Sequence, residues 1–192
     1  MKKVYMFNRT SIDGFFASLN GSIDWFIPDP EVDQAIHKMM DLDSVLFGRI
    51  TYQMFESYWP GVARDPDAPA GARAMAIELN EMNKLVFSTT LDKVTWENSK
   101  LFKHNVVDEV RQLKQGTGKD FVIFGSGSIV QQLACEDLID EYLVLITPIV
   151  LGAGKLLFKD VKTNFTLLEA RNFSSGNVLL HYGSANKGLK HT

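Results

Sequence analysis

At 192 residues, with 45% hydrophobic and 22% charged side chains, the chain carries enough apolar material for one large core. A formal net charge of −3 argues against a nucleic-acid surface, and no run of eighteen apolar residues offers a membrane span. The first residues, MKKVYMFNRT, hold too short an apolar run for a signal peptide. The single cysteine, Cys135, excludes an internal disulfide and fits a reducing cytoplasm.

In chain order, Lys2 to Asn8 reads as a first strand. Residues 11–30 follow as an ordered, ring-rich loop with Phe15, Phe16, Trp25 and Phe26, turning at Asn20-Gly21. A helix starts at Asp29 or Pro30 and buries Val32, Ile36, Met39 and Met40; Asp33 and His37 share its outer face as a solvated ion pair. Ser44 to Phe47 is a short strand. Residues 50–59 are a second helix, with Met54, Phe55 and Tyr58 inward. Three prolines and two glycines make Pro60 to Gly71 a surface loop before a helix over Ala72–Met82. Lys84–Ser88 and part of Val94–Phe102 are strands, and Asn105–Gln115 is a helix closed by Gly116 and Gly118. Phe121–Phe124 reads as a strand buried on both faces, after which Ser128 is placed to cap a helix through Ile129, Val130 and Leu133. Asp140 to Val150 is the longest apolar strand, and Phe165–Asn172 with Asn177–Tyr182 form a hairpin through Ser174-Ser175-Gly176. Strands alternate with helices to about Leu138 and then follow one another. This gives an α/β fold, a mostly parallel sheet with helices on both faces and a C-terminal antiparallel hairpin. Residues 1–185 read as a single domain and 186–192 as a polar tail.

Three strand ends share one chemistry. Phe47 leads into Gly48-Arg49-Ile50-Thr51, Phe87 into Ser88-Thr89-Thr90, and Phe124 into Gly125-Ser126-Gly127-Ser128. Ligands of open α/β sheets lie outside the carboxyl ends of parallel strands. Small residues, hydroxyls and one guanidinium there suit a ligand with several phosphates, which Arg49 can hold bidentately while Thr51 and Ser88 donate hydroxyls. Alone, the glycine stretch reads equally as a plain turn or as a phosphate cradle at a helix N-terminus. A Rossmann motif does not fit, because Val130 stands where its third glycine belongs and no acidic residue ends the next strand. No cysteine–histidine set has metal-ligand spacing, and acidic Glu136 and Asp137 disfavour Cys135 as a nucleophile. The acid–base candidates are Asp13, Asp24, Asp29, Glu31, Asp33 and His37; His104, His181 and His191 have no partners at useful spacing.

Six pieces stand in one order: Ser11-Ile-Asp13-Gly14, Trp25-Phe-Ile-Pro28, Gly48-Arg49-Ile-Thr51-Tyr52, Val86-Phe-Ser88-Thr89, Phe124-Gly125-Ser126-Gly127-Ser128 and Thr147-Pro148-Ile149-Val150-Leu151-Gly152-Ala153-Gly154. Together they resemble the dihydrofolate reductase-like superfamily over nearly the whole chain, closest to the reductase domain of bifunctional riboflavin-biosynthesis enzymes. The resemblance implies an eight-stranded, mainly parallel sheet binding NADPH for hydride transfer, in a homodimer that the apolar strand Leu143–Ile149 would suit. Gly48, Arg49 and Thr51 would hold the cofactor's phosphates, Ser88 and Thr89 would lie near its 2′-phosphate, and Gly125 to Ile129 (with Ser126, Gly127 and Ser128) would cradle the pyrophosphate. Ser11, Asp13 and Trp25 would line the nicotinamide and substrate side. Folate-reducing members carry an acid two places after the proline of the W-x-x-P piece; here that place is Pro30, so proton supply falls to Asp13, Glu31, Asp33 or water. The implied activity is an NAD(P)H-dependent reductase acting on a carbonyl or imine of a small heterocycle, like the ribosylamino-pyrimidine reductase of riboflavin synthesis. Dihydrofolate reductase itself and a nucleotide-binding module without turnover are the alternatives.

Overall fold

The computed structural model describes residues 1–185; the expected tail and His191 lie outside the described residues. In chain order the elements are β1 (Val4–Thr10), β2 (Phe15–Ala17), α1 (Pro30–Met39), β3 (Leu42–Gly48), α2 (Arg49–Arg64), α3 (Ala70–Glu81), β4 (Asn83–Phe87) and β5 (Ser99–Phe102). There follow α4 (Val106–Leu113), β6 (Asp120–Phe124), α5 (Gly127–Cys135), β7 (Glu141–Ile146), β8 (Lys155–Leu156), β9 (Phe165–Asn172) and β10 (Val178–Ser184). Eight strands form one sheet in the order β5-β4-β3-β6-β1-β7-β10-β9. β5 through β7 run parallel, and β10 and β9 join antiparallel.

Successive strand residues point to opposite faces, which divides the core into two layers. Val4, Met6, Leu46 and Ile123 pack under α4 and α5 with Val106, Val110, Val130 and Leu133. Tyr5, Val45, Phe47, Val122 and Leu143 pack under α1, α2 and α3 with Val32, Ile36, Tyr52 and Leu79. A strand covered on both faces has no need of alternating polarity, which is why β6 reads as an unbroken apolar run.

Several expectations are corrected. Pro60 lies inside α2, which runs on to Arg64, and α3 begins at Ala70, so little of the expected 60–71 loop is loop. Met54 and Tyr58 are exposed; the inward stripe of α2 is Tyr52, Phe55 and Trp59, one step out of phase with the reading. Asp33 and His37 do not pair: Arg9 takes Asp33 at 3.4 Å and Glu78 takes His37 at 3.5 Å. His104 and His181 do find partners, in Glu109 at 2.9 Å and Glu141 at 2.7 Å. β7 stops at Ile146, since Pro148 has no N–H to extend a ladder, and the eight-residue β9 is longer. The pairing of β2 with β8, antiparallel and short, has no counterpart in the sequence reading.

Lys84 is wholly buried at the end of α3, donating to the carbonyls of Asn80 at 2.8 Å and Met82 at 3.0 Å beneath the Trp96 ring. These bonds close the helix's last carbonyls. Burial nonetheless pushes the ammonium down to about 8, outweighing the pull of Glu97.

Candidate functional site

β3 and β6 are adjacent in the sheet, yet the helices that follow them lie on opposite faces. α2 packs with the layer containing Phe47, and α5 with the layer containing Ile123. Diverging connections open a crevice at the carboxyl ends of two neighbouring parallel strands, the place where open α/β sheets take ligands. Here the N-termini of α2 and α5 both begin at that crevice, and the first N–H groups of each have no partner within the helix. Two positive dipole ends meet there.

The two loops are locked together. The Gly48 N–H donates to Ser126 Oγ at 3.0 Å, and the Ser126 N–H donates to Thr51 Oγ1 at 3.0 Å. Asn8 Nδ2 holds the Gly125 carbonyl at 3.1 Å from the next strand. Gly125 and Ser126 sit at φ of +56° and +50°, left-handed backbone that costs a residue with a side chain roughly 1–2 kcal/mol. Ser126, not Ser128, is thus the residue that precedes the helix, and its hydroxyl serves the cross-loop bond instead of capping α5. A Cβ on Gly125 would stand 3.0 Å from Thr51 Cγ2, and one on Gly127 would stand 2.7 Å from the Phe16 ring. Both glycines are demanded by close approach. Gly48, Thr51 and Gly125–Ile129, expected to serve one ligand, stand in one constellation.

Arg49 is exposed at the first position of α2, where among the described residues only Gln53 Oε1, at 3.4 Å, meets its guanidinium. Ser88 and Thr89 stand at the end of β4, the next strand along, since Phe87 pairs with Gly48. Ser88 Oγ accepts from the Thr90 and Leu91 amides at 3.2 and 3.0 Å. Thr89 is exposed. A cleft of about 330 Å³ opens beside the start of α5, lined by Phe16, Gly127, Ser128, Gln131, Lys155 and Lys159. A wider groove of about 580 Å³ lies at the opposite edge of the sheet, around Lys2, Asn83, Lys100 and Phe121, and takes no part in this crevice.

On the far side of the glycine loop the predicted residues fare differently. Ser11 is buried, accepting from the Phe15 N–H at 3.0 Å, so its hydroxyl shapes its own loop and does not face a substrate. Asp13 accepts from the Leu151 N–H at 3.2 Å and the Gly152 N–H at 2.8 Å, tying the S-I-D-G loop to the L-G-A-G loop. The Ser11 hydroxyl, with those two amides, holds its carboxyl below the usual range, which disfavours it as a proton donor. Glu31 is exposed. Asp33 leaves 70% of its side chain in water; burial raises its carboxyl, with Asp29 adding to the rise and Arg9 opposing it. Trp25 is half-buried edge-on to Phe26, and its Nε1 is buried with no partner among the described residues.

Asp29 caps α1. Its Oδ1 accepts from the Glu31 N–H at 2.9 Å and its Oδ2 from the Ser175 hydroxyl, so no carboxylate stands where Pro30 displaces the family's acid. Burial pushes this carboxyl up, but the Ser175 hydroxyl and the Glu31 and Val32 amides outweigh burial and hold it low. Loss of a cap costs about 1 kcal/mol and stranding its buried partners about 1–3 more, so Asp29→Ala is expected to lose about 2–4 kcal/mol in denaturant melts. Because the folded pKa lies below the unfolded one, Asp29's contribution is complete above pH 3.8 and fades as pH falls toward the folded value. Asp29→Asn should flatten that acid limb.

The sequence reading missed Asn8, Arg9 and Phe16. Asn8 and Arg9 stand at the end of β1, where a polar pair closing an apolar strand was the available signal; Phe16 gave none beyond its ring.

A model of the RibD C-terminal domain family matches residues 2–179. The chain belongs to that family. It is 32% identical over 184 residues to the uncharacterized protein YyaP of Bacillus subtilis (strain 168), covering 94% of each chain. Among solved structures, a Shewanella sp. PV-4 protein assigned to riboflavin biosynthesis superposes with a TM-score of 0.73 at 26% identity, over 95% of this chain and 98% of that one. The Thermotoga maritima diaminohydroxyphosphoribosylaminopyrimidine deaminase/5-amino-6-(5-phosphoribosylamino)uracil reductase superposes at 0.66 and 14% identity, over 96% of this chain and 57% of that one. Enterococcus faecalis dihydrofolate reductase, complexed with NADP(H), gives 0.60 at 10% identity over 95% and 96%. The fold is the dihydrofolate reductase-like α/β fold, and the family includes reductases. No described helix is long and apolar enough to cross a membrane.

Proposed function

We propose that the chain is a reductase that uses reduced nicotinamide dinucleotide, NADPH in preference to NADH, to pass a hydride to a carbonyl or imine of a small heterocycle. The observation that carries this is the crevice between β3 and β6, where two helix N-termini and a glycine-lined approach converge under the Gly48–Ser126–Thr51 lock. The residues present fit the group. Gly125–Ile129 would face the pyrophosphate through backbone N–H groups, and Arg49 would pair bidentately with phosphate. Thr51 positions Ser126, and Ser88 and Thr89 would read a 2′-phosphate at the end of β4, which favours NADPH. When bound, the cofactor supplies the hydride; the chain supplies binding and orientation.

Proton supply is where the geometry departs from a folate reductase. Asp29 is spent on the α1 cap and Ser175, Asp13 on two amides, and Asp33 opens to solvent on Arg9's flank. Water is then the proton source, and Asp13→Asn should lower kcat less than about tenfold, whereas a general acid would be worth 10²–10⁴. The test is loss of reduced-nicotinamide absorbance with ribosylamino-pyrimidine, dihydropterin and simple carbonyl acceptors. NADPH binding without oxidation by any acceptor would leave a nucleotide-binding module and overturn the catalytic reading. The reading also carries a cytoplasmic homodimer, though not through Leu143–Ile149 as expected: β7 is interior between β1 and β10 with Leu143 and Leu145 buried, and it is the edge strand β9 that leaves Leu167 and Leu168 half-exposed. A sedimentation mass of one chain would contradict it.

A further inference from the structure

Residue 2 is tied down before β1 begins. Its N–H donates to the Lys114 carbonyl at 3.0 Å, and the Phe121 N–H donates to the neighbouring Lys3 carbonyl at 2.9 Å. The Lys2 side chain turns inward, with its ammonium 3.9 Å from the centre of the Phe121 ring. The turn after α4 closes over it: a Cβ on Gly118 would stand 3.7 Å from Lys2 Nζ. Only 10% of this side chain is exposed, and among the described residues its Nζ makes no hydrogen bond. The nearest carboxylate oxygen, Asp43 Oδ1, stands at 3.5 Å and already accepts the Ser44 hydroxyl at 2.6 Å. The ring face offsets part of the cost of burial, but an ammonium has three N–H groups to place.

This ammonium lines the groove of about 580 Å³ at the amino ends of β3, β4 and β6, a volume that suits a small organic molecule. Ser44, Asn83 and Phe121 pair across those strands and share the face that carries α4. Leu85 and Leu113 add apolar wall, while Gln112 and Thr117 bring side chains with no partner among the described residues. A second lysine, Lys100, lies exposed over the Phe102 ring at 4.6 Å and meets no carboxylate among the described residues. Glu109 is the one acid in the lining, and its Oε2 is held by His104 at 2.9 Å. Two ammonium groups therefore line the groove against one engaged carboxylate. A charge removed from water is costly unless it is paired, so the groove favours an anion.

We propose that this groove is a second binding site, for a small organic oxyanion with an apolar body, and that Lys2 is its anchor. The site does not depend on the reductase reading. Ser44 at the groove and Gly48 at the crevice are separated by about 13 Å of strand, so the two sites can be filled together. A rival view, that Lys2 only clamps the N-terminal residues onto Phe121, predicts no preference for an anion.

The test is a titration of the full chain followed by backbone amide NMR signals. The probes are 2-naphthoate as the carboxylate, 2-naphthyl phosphate as the phosphate and 2-naphthylmethanol as the neutral body. One charged probe should bind roughly tenfold or more tighter than the alcohol, the value of a charge-assisted bond, and which one does so names the oxyanion. The shifts should saturate at Lys2, Gln112 and Thr117. Lys2→Met should bring charged and neutral probes within about twofold of each other. Equal binding of all three by wild type, or a preference surviving in Lys2→Met, overturns the proposal. Should Lys2→Met fail to fold, Gln112→Glu decides, because that residue is exposed. A carboxylate there should weaken the charged probe about threefold or more and leave the alcohol alone, and no change would count against the site. Saturating NADPH should leave the charged probe bound. Displacement by NADPH, or shifts centred on Gly125–Ile129, would put the probe in the crevice and overturn the proposal. Probe binding in a protein that takes no NADPH would sink the reductase reading and leave this site standing.

Discussion

Gly125→Val is expected to weaken NADPH binding by at least 100-fold. A β-branched side chain at φ +56° costs roughly 1–2 kcal/mol in backbone strain, and its Cβ would press to 3.0 Å on Thr51 Cγ2 and 3.1 Å on Oγ1. Overpacking of that kind costs about 1–3 kcal/mol more, so the whole variant should lose about 2–5 kcal/mol of stability, within what a chain of this size survives. The binding loss has a different origin. Thr51 must move, and its hydroxyl is what accepts the Ser126 N–H. Once that bond breaks, Ser126 no longer holds the Gly48 N–H, and the mouths of α2 and α5 lose their common register. Calorimetric titration with NADPH, alongside a thermal melt, checks both numbers. Affinity kept within threefold of wild type would mean the glycine loop is only a turn.

Arg49→Ala should weaken NADPH by about 10- to 100-fold while leaving the melting temperature almost unchanged. The guanidinium is exposed, and its one partner among the described residues is a long contact to Gln53 within the same helix, so stability should shift by no more than about 0.5 kcal/mol. Charge-assisted hydrogen bonds to phosphate contribute about 1.5–3 kcal/mol, which converts to that affinity range. Such a bond is also screened, so the wild-type affinity should fall as salt is raised and the variant's should fall less steeply. With cofactor saturating, kcat should stay close to wild type, since on the proposed reading Arg49 would hold the phosphate end and not the reacting carbon.

How much of this the sequence discloses follows from the range of the interactions. The strand ends were legible because each is local: an apolar run, then glycine or a hydroxyl, then a helical pattern. That the three ends serve one ligand was expected too, but the order β4-β3-β6, which sets Phe47 between the other two, was not, because it pairs segments 39 residues apart (Ser44 with Asn83) and 77 apart (Val45 with Val122). Pro60 illustrates the opposite failure. Proline and glycine density marks loops on average, yet α2 continues through Pro60 because its Tyr52–Phe55–Trp59 stripe packs on the sheet and α3 packs against it. Asp13, Ser11 and Asp29 looked like chemistry from their residue types. The structure spends Ser11 on the Phe15 N–H of its own loop, Asp29 on its own helix and the distant Ser175 hydroxyl, and Asp13 on the distant Leu151 and Gly152 N–H groups; the distant partners are what the sequence does not display.

The account turns on the crevice between β3 and β6 being a dinucleotide site. Isothermal titration of the purified protein with NADPH tests it most directly. The structure predicts saturable binding at one site per chain, weaker for NADH, and lost in Gly125→Val. Absence of any binding by wild type at millimolar NADPH, or equal binding by wild type and Gly125→Val, would contradict it.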